Sequence, residues 1–310
     1  MPKVIVGLMG SAPHIQSASI SEASGVARFL ETCARHNVRE LDTAAAYVRS
    51  EILLGENDAC KRFAVSTKAP AFSPKSLTYD NIIARCHRSL SELKTDKVDI
   101  YYLHGPDHET PLEQQCDAIG KLYSEGKFER FGVSNISPDS VRTIYDHCKA
   151  KGYCLPKVYQ GAYNPIQRPP ETELFPLLRE LNMNFYAYSP LAGGLFAKPL
   201  EQIMDPQSDD RYKVFPVFQR YLTDESVDGL KTLHKLCAEE DIGLLEATMR
   251  WFRHHSALGE EDGFIIGASK IEQLDGTLET AEKGRLPESL VSAYETLWEQ
   301  TKSKAAAWYF

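Results

Sequence analysis

"GLMGSAP" occupies residues 7–13, directly after a β-rich run, "VIVG" at 4–7. A doubly wound α/β sheet usually carries G-x-G-x-x-G at this turn, where glycines let the backbone approach a dinucleotide. The spacing here does not match, and no Walker sequence follows elsewhere. Further β-rich runs recur as "RELD" (39–42), "FAVSTK" (63–68), "VDIYYLH" (98–104), "FGVSN" (131–135), "VYQGAYN" (158–164), "FYAYSP" (185–190) and "GFIIGAS" (263–269). With the first run they make about eight strands, the number a closed α/β barrel requires. Amphipathic stretches lie between them at 21–36, 79–93 and 171–182. Ser21 and Ser137 are placed to cap two helices, the second with Pro138 at the first helical position. Alternating βα units without a composition break predict one α/β domain over residues 1–310, a (β/α)8 TIM barrel.

Composition bounds the function without naming it. The chain has 310 residues, 43% of them hydrophobic and 25% charged, with a net charge of -8. The acidic surplus argues against nucleic acid or an anionic membrane as the main partner, so an anion site has to be local. The seven cysteines, Cys33, Cys60, Cys86, Cys116, Cys148, Cys154 and Cys237, are scattered and never spaced C-x-x-C. Together with an N-terminus lacking a secretory pattern and the want of any run approaching the ~18 apolar residues of a membrane helix, they predict a cytoplasmic protein with reduced thiols.

Strand-end side chains on the C-terminal face of an α/β barrel line its active site. Asp42, Lys68 and His104 fall at such ends on the second, third and fourth strands, and Tyr47 follows in the loop after Asp42. A phenol is too weak an acid at neutral pH unless a cation stabilises its phenolate, and Lys68 is the cation at hand. Asp42 would hold that ammonium, while His104 would donate a hydrogen bond to a substrate oxygen. The set suits carbonyl reduction, with the proton from Tyr47 and the hydride from a cofactor, since no side chain supplies one. A metal reading of His104, Asp107 and His108 is opposed by Gly105 and Pro106, which interrupt any helix that would align the two imidazoles. His254 and His255 are neighbours in a helical segment and point to different sides.

These residues resemble the aldo-keto reductases. The tetrad contexts continue through "GKFERFGVSN", "FYAYSPLAGGLF" and "GASKIEQL", and "YYLHGPDHETPLEQ" with "YQGAYNPIQRPPETELFPLLR" is most similar to the aflatoxin-aldehyde-reductase branch. The resemblance implies catalytic roles for Asp42, Tyr47, Lys68 and His104, with Tyr47 and His104 also touching substrate. It implies an NADPH/NADP+ site built from Gly7, Met9, Asp42, Ser134, Asn135, Gln160, Tyr188, Ser189, Leu191, Gly193, Lys198, Gly267, Ser269, Lys270 and Gln273. Ser134, Asn135 and Gln160 would hold the nicotinamide carboxamide and Tyr188 would stack on its ring. The run 189–196 would wrap the pyrophosphate, and Ser269 and Lys270 would receive a 2′-phosphate.

The chain departs from its relatives at three places. Lys198 stands one position early and precedes Pro199, Thr277 replaces an adenine-contacting Asn, and the "WYF" ending lacks the arginine that relatives often carry, which bears on any preference for acidic aldehydes. Pocket shape is expected to depend on the loop 193–222 and on the C-terminal tail. Trp308, Tyr309 and Phe310 are expected to wall the pocket for a small carbonyl substrate, with the barrel's outer helices or a homodimer interface as the alternative place for them. A second reading implied by the family is a redox-sensing, cofactor-binding subunit resembling potassium-channel β subunits.

Overall fold

The computed structural model describes residues 1–9, 20–205 and 216–310. Residues 10–13 of the opening turn and 206–215 of the 193–222 loop lie outside the described residues. Eight strands close in chain order into one parallel barrel: β1 Lys3–Gly7, β2 Glu40–Asp42, β3 Ala64–Ala69, β4 Val98–Leu103, β5 Phe128–Ser134, β6 Pro156–Ala162, β7 Asn184–Tyr188 and β8 Gly263–Gly267. Closure is made by β1 against β8, in register from Lys3 opposite Gly263 to Gly7 opposite Gly267. The expected barrel is the observed one.

Among the helices outside the barrel are α1 Ala23–Arg35, α2 Ser50–Glu56, α3 Tyr79–Leu93, α4 Leu112–Ser124 and α5 Pro138–Lys151. The cap of α5 is as expected: Ser137 Oγ accepts from Ser140 N–H at 3.1 Å, and Gly152 ends the helix with φ 68°. The cap of α1 is not. Its N-cap is Glu22, with no side-chain cap bond, so Ser21 stands one residue too early. The stretch expected as one helix over 171–182 is two short ones, Pro170–Glu173 and Phe175–Glu180. Pro176 explains the break, because it donates no amide and its ring crowds the carbonyl one turn back.

The barrel interior is a small cluster of Ile5, Ile100, Tyr102, Val158, Tyr186 and Ile265, while a larger apolar layer lies between sheet and helices. Tyr102 fits because its neighbour on β5 is Gly132, where a Cβ would meet the ring at 2.3 Å. The N-terminal end of the barrel is closed by polar groups. Arg130 pairs with Asp99 and Glu40, and Tyr186 donates to Glu40 at 2.8 Å. That leaves the C-terminal end for chemistry, in keeping with how such barrels divide stability from function. Among the described residues no helix is long and apolar enough to cross a membrane, and no group of three His, Cys, Asp or Glu side chains gathers to hold a metal.

Candidate active site

Asp42 ends β2, Lys68 stands one residue from the end of β3, and His104 directly follows β4. Parallel register brings the three strand ends side by side, with Asp42 opposite Ser66 and Lys68 opposite Tyr102. Lys68 is completely buried. Its ammonium donates to Asp42 Oδ1 at 2.6 Å and to the Thr43 carbonyl at 2.7 Å. The other carboxylate oxygen accepts from Gln160 Nε2 at 2.8 Å. Burying an ammonium costs several kcal/mol unless it is paired and hydrogen-bonded, and these partners meet that condition. Its Nζ also lies 5.3 Å from the ring centroid of Tyr47 and 5.6 Å from that of Tyr102, so aromatic faces supply further cation–π stabilisation. Burial lowers the Lys68 pKa from the ordinary lysine value, and the Asp42 charge opposes that drift.

The Tyr47 ring meets the His104 imidazole edge-on, with centroids 5.9 Å apart and planes at 78°. The sequence reading expects Lys68 to pull the phenol pKa down. Instead it is pushed well above the ordinary value, first by burial, then by the Asp42 carboxylate and the Tyr188 phenol. Asp42 adds its own negative charge beside the phenol, and burial disfavours the phenolate, so Tyr47 keeps its proton. His104 moves the other way: burial and the Lys68 charge push it down to about 3, so the ring is neutral at physiological pH. Its Nδ1 is buried without a hydrogen-bond partner.

A polar cluster adjoins these groups. Asn135, buried directly after β5, holds φ 59°, a left-handed conformation that asparagine tolerates better than most residues. Its amide donates to the His104 carbonyl and to Ser134 Oγ, both at 2.9 Å, while its oxygen accepts from the Tyr188 hydroxyl at 2.8 Å. Ser134, Asn135 and Tyr188 thus meet, and Gln160 stands opposite Ser134 in the register of β5 and β6. An acceptor oxygen and amide donors on neighbouring strand ends form the complement of a carboxamide, so the donor set fits a nicotinamide.

The run 189–198 folds back on itself. Ser189, Ala192, Gly193 and Gly194 all have positive φ, and the amides of Ala192, Gly194, Phe196 and Lys198 donate inside the turn. Leu191 flanks the turn, half-buried. Gly7 ends β1 and Met9 follows it. Gly267 ends β8 and is exposed; beyond it Ser269 donates to Gln273 at 2.8 Å, and exposed Lys270 is the N-cap of the helix Ile271–Ala281. A lysine at a helix N-terminus suits a phosphate, since both offer positive charge. Thr277 turns its hydroxyl back to the Gln273 carbonyl at 2.7 Å.

The three tail aromatics part ways. Trp308 is 2% exposed, its indole donates to Glu173 at 2.7 Å, and its ring meets Tyr159 edge-on. The bond to Glu173 ties the tail to the helix Pro170–Glu173. Phe310 is 55% exposed, donates its amide to the Asn135 carbonyl at 3.1 Å, and packs edge-on against Phe72. Phe72, which the sequence reading missed, in turn packs edge-on against His104. Gly105 makes room for it, because a Cβ there would meet the Phe72 ring at 2.4 Å. A periodic pattern does not reveal Phe72, since it sits in a loop at φ 67°.

A cleft of about 560 Å³ opens beside this aromatic row, lined by Gly105, Asp107, Ile136, Ser140, Tyr309 and Phe310 among others. It adjoins the tetrad without containing it. Trp308→Ala is expected to cost about 3–5 kcal/mol in chemical denaturation. Phe310→Ala is expected to leave stability nearly intact; the reverse pattern in the two variants would make Phe310 and not Trp308 the anchor of the tail.

The chain belongs to the aldo/keto reductase family, whose model matches residues 3–299. It is 36% identical over 289 residues to the oxidoreductase sirO of Leptosphaeria maculans, covering 90% of this chain and 87% of that protein. Over 303 residues it is 35% identical to human aflatoxin B1 aldehyde reductase member 2, covering 90% and 82%. Human aldo-keto reductase family 7 member A3 is 36% identical over 284 residues, 84% of each chain.

Proposed function

We propose that the protein reduces aldehydes or ketones to alcohols with NADPH, in the cytoplasm, with Tyr47 as the proton donor. The observation that carries this reading is the fully buried Lys68–Asp42 pair beneath a Tyr47 phenol that holds its proton, beside a neutral His104. When bound, the nicotinamide would supply hydride to the carbonyl carbon.

The chain's own groups handle the oxygen. Neutral His104 is a hydrogen-bond donor rather than an acid, so it orients and polarises the carbonyl. Tyr47 then passes its proton to the oxygen as negative charge develops there. An acid so weak would stall without help, and Lys68 provides it: two of its three N–H groups are committed to Asp42 and Thr43, leaving a third for the phenolate that forms. Asn135, Ser134 and Gln160 would hold the carboxamide, and Tyr188 would set the ring plane.

Lys270, exposed at the start of the helix Ile271–Ala281, would contact the 2′-phosphate. A charge-assisted contact of this kind contributes roughly 1.5–3 kcal/mol. Lys270→Ala is therefore expected to weaken NADPH about tenfold or more and NADH little, as measured by fluorescence titration. Equal losses for both would place the lysine elsewhere. The direct test of the reading is steady NADPH consumption with a panel of simple aldehydes. Absence of turnover across the panel would overturn it.

A further inference from the structure

The loop carrying Tyr47 is short of regular structure, yet its peptides are held from outside. Ala45 N–H donates to the Lys68 carbonyl at 3.2 Å, and the Ala45 carbonyl accepts from Arg85 Nη2 on α3 at 3.2 Å. The same Nη2 donates at 2.8 Å to Glu51, which lies four residues beyond Tyr47 in the first turn of α2. The second Glu51 oxygen accepts from Thr67 Oγ1 at 2.6 Å, and Thr67 precedes Lys68 on β3. One guanidinium nitrogen and one carboxylate therefore tie the loop on both sides of Tyr47 to the strand bearing Lys68.

We infer that Arg85, through Ala45 and Glu51, is a positioning residue that holds the Tyr47 phenol in register with Lys68. Two features argue that this is more than surface pairing. Glu51 is 2% exposed, so its charge is buried and depends on Arg85 and Thr67. Arg85 Nε is itself buried without a partner, a cost accepted where the Nη contacts must be made. The loop also contains Arg49 at φ 66°, a left-handed arginine that persists only where its surroundings hold it. A displacement of about 1 Å in a reacting group is enough for large losses in rate.

The inference rests on Tyr47 being the acid, and the experiment separates the two. In Arg85→Ala, kcat is expected to fall tenfold or more while NADPH affinity and KM stay within twofold. Millimolar guanidinium should restore part of kcat. Hydrogen exchange should quicken at 43–51 and not across the barrel. Unchanged kcat with unchanged exchange at 43–51 would overturn the inference, and so would a loss in cofactor affinity or faster exchange throughout, which would make Arg85 a general stabilising residue. If Arg85→Ala does not fold, Arg85→Lys decides: it reaches Glu51 or Ala45 but not both, so kcat should fall severalfold with local exchange changes, and wild-type kcat would refute the role. Were the wild-type protein itself silent with aldehydes, the reading of function would fail, while local exchange at 43–51 would still judge the clamp.

Discussion

Tyr47→Phe is expected to lower turnover by ~10²-fold or more while NADPH binds almost as before, because the change removes a proton donor and nothing else. The ring remains, so its edge-on contact with His104 and its place beside the Lys68 ammonium are kept. With chemistry slowed, kcat should fall and KM change little, the pattern of an interaction made only in the transition state. Single-turnover measurement with a saturating aldehyde is the check. A variant keeping a tenth of wild-type turnover would exclude the phenol as the acid.

Lys68→Met should have two effects that come apart in a second variant. It leaves the Asp42 carboxylate buried beside Gln160 with no cation, which is expected to destabilise the fold by ~3–5 kcal/mol. Turnover should fall at least as far as in Tyr47→Phe, since nothing then stabilises the developing phenolate. In Asp42→Asn/Lys68→Met both charges are gone and most of the stability should return, because a neutral pair has little desolvation penalty. Turnover should not return. Denaturant unfolding and kcat measured on the same samples distinguish the two effects; recovery of activity together with stability would mean that Lys68 matters only for folding.

That Asp42, Lys68 and His104 share one end of the barrel was legible because β-rich runs end on these three and strand ends face its mouth. Lys68's complete burial was not legible, since it comes from packing inside the closed barrel, where even its partner Asp42 is held by Gln160 on β6, 118 residues away in sequence. The upward shift of Tyr47 had the same origin: sequence placed a cation near the phenol but could not weigh burial against it. Pro176 did carry a readable signal, masked by the apolar spacing of Leu174, Phe175, Leu178 and Leu181 around it. Neither Arg85 nor Glu51 stands in a motif or at a strand end, so the sequence singles out neither. Only the packing of α3 against the Tyr47 loop joins them.

Asn135 bears on how tightly a ligand amide can bind at this end of the barrel. Its side chain and carbonyl are already taken up by His104, Ser134, Tyr188 and the Phe310 amide. A ligand amide that claims the Asn135 side chain therefore trades partners instead of finding idle ones, and each neutral bond is worth only about 0.5–1.5 kcal/mol net to begin with. The exchange should add little to affinity, so if the proposed cofactor binds here most of the affinity has to come from contacts elsewhere along it. The released Tyr188 hydroxyl then becomes the cheapest place for the mouth to adjust to whatever arrives next, while the Phe310 amide keeps its bond to the Asn135 carbonyl.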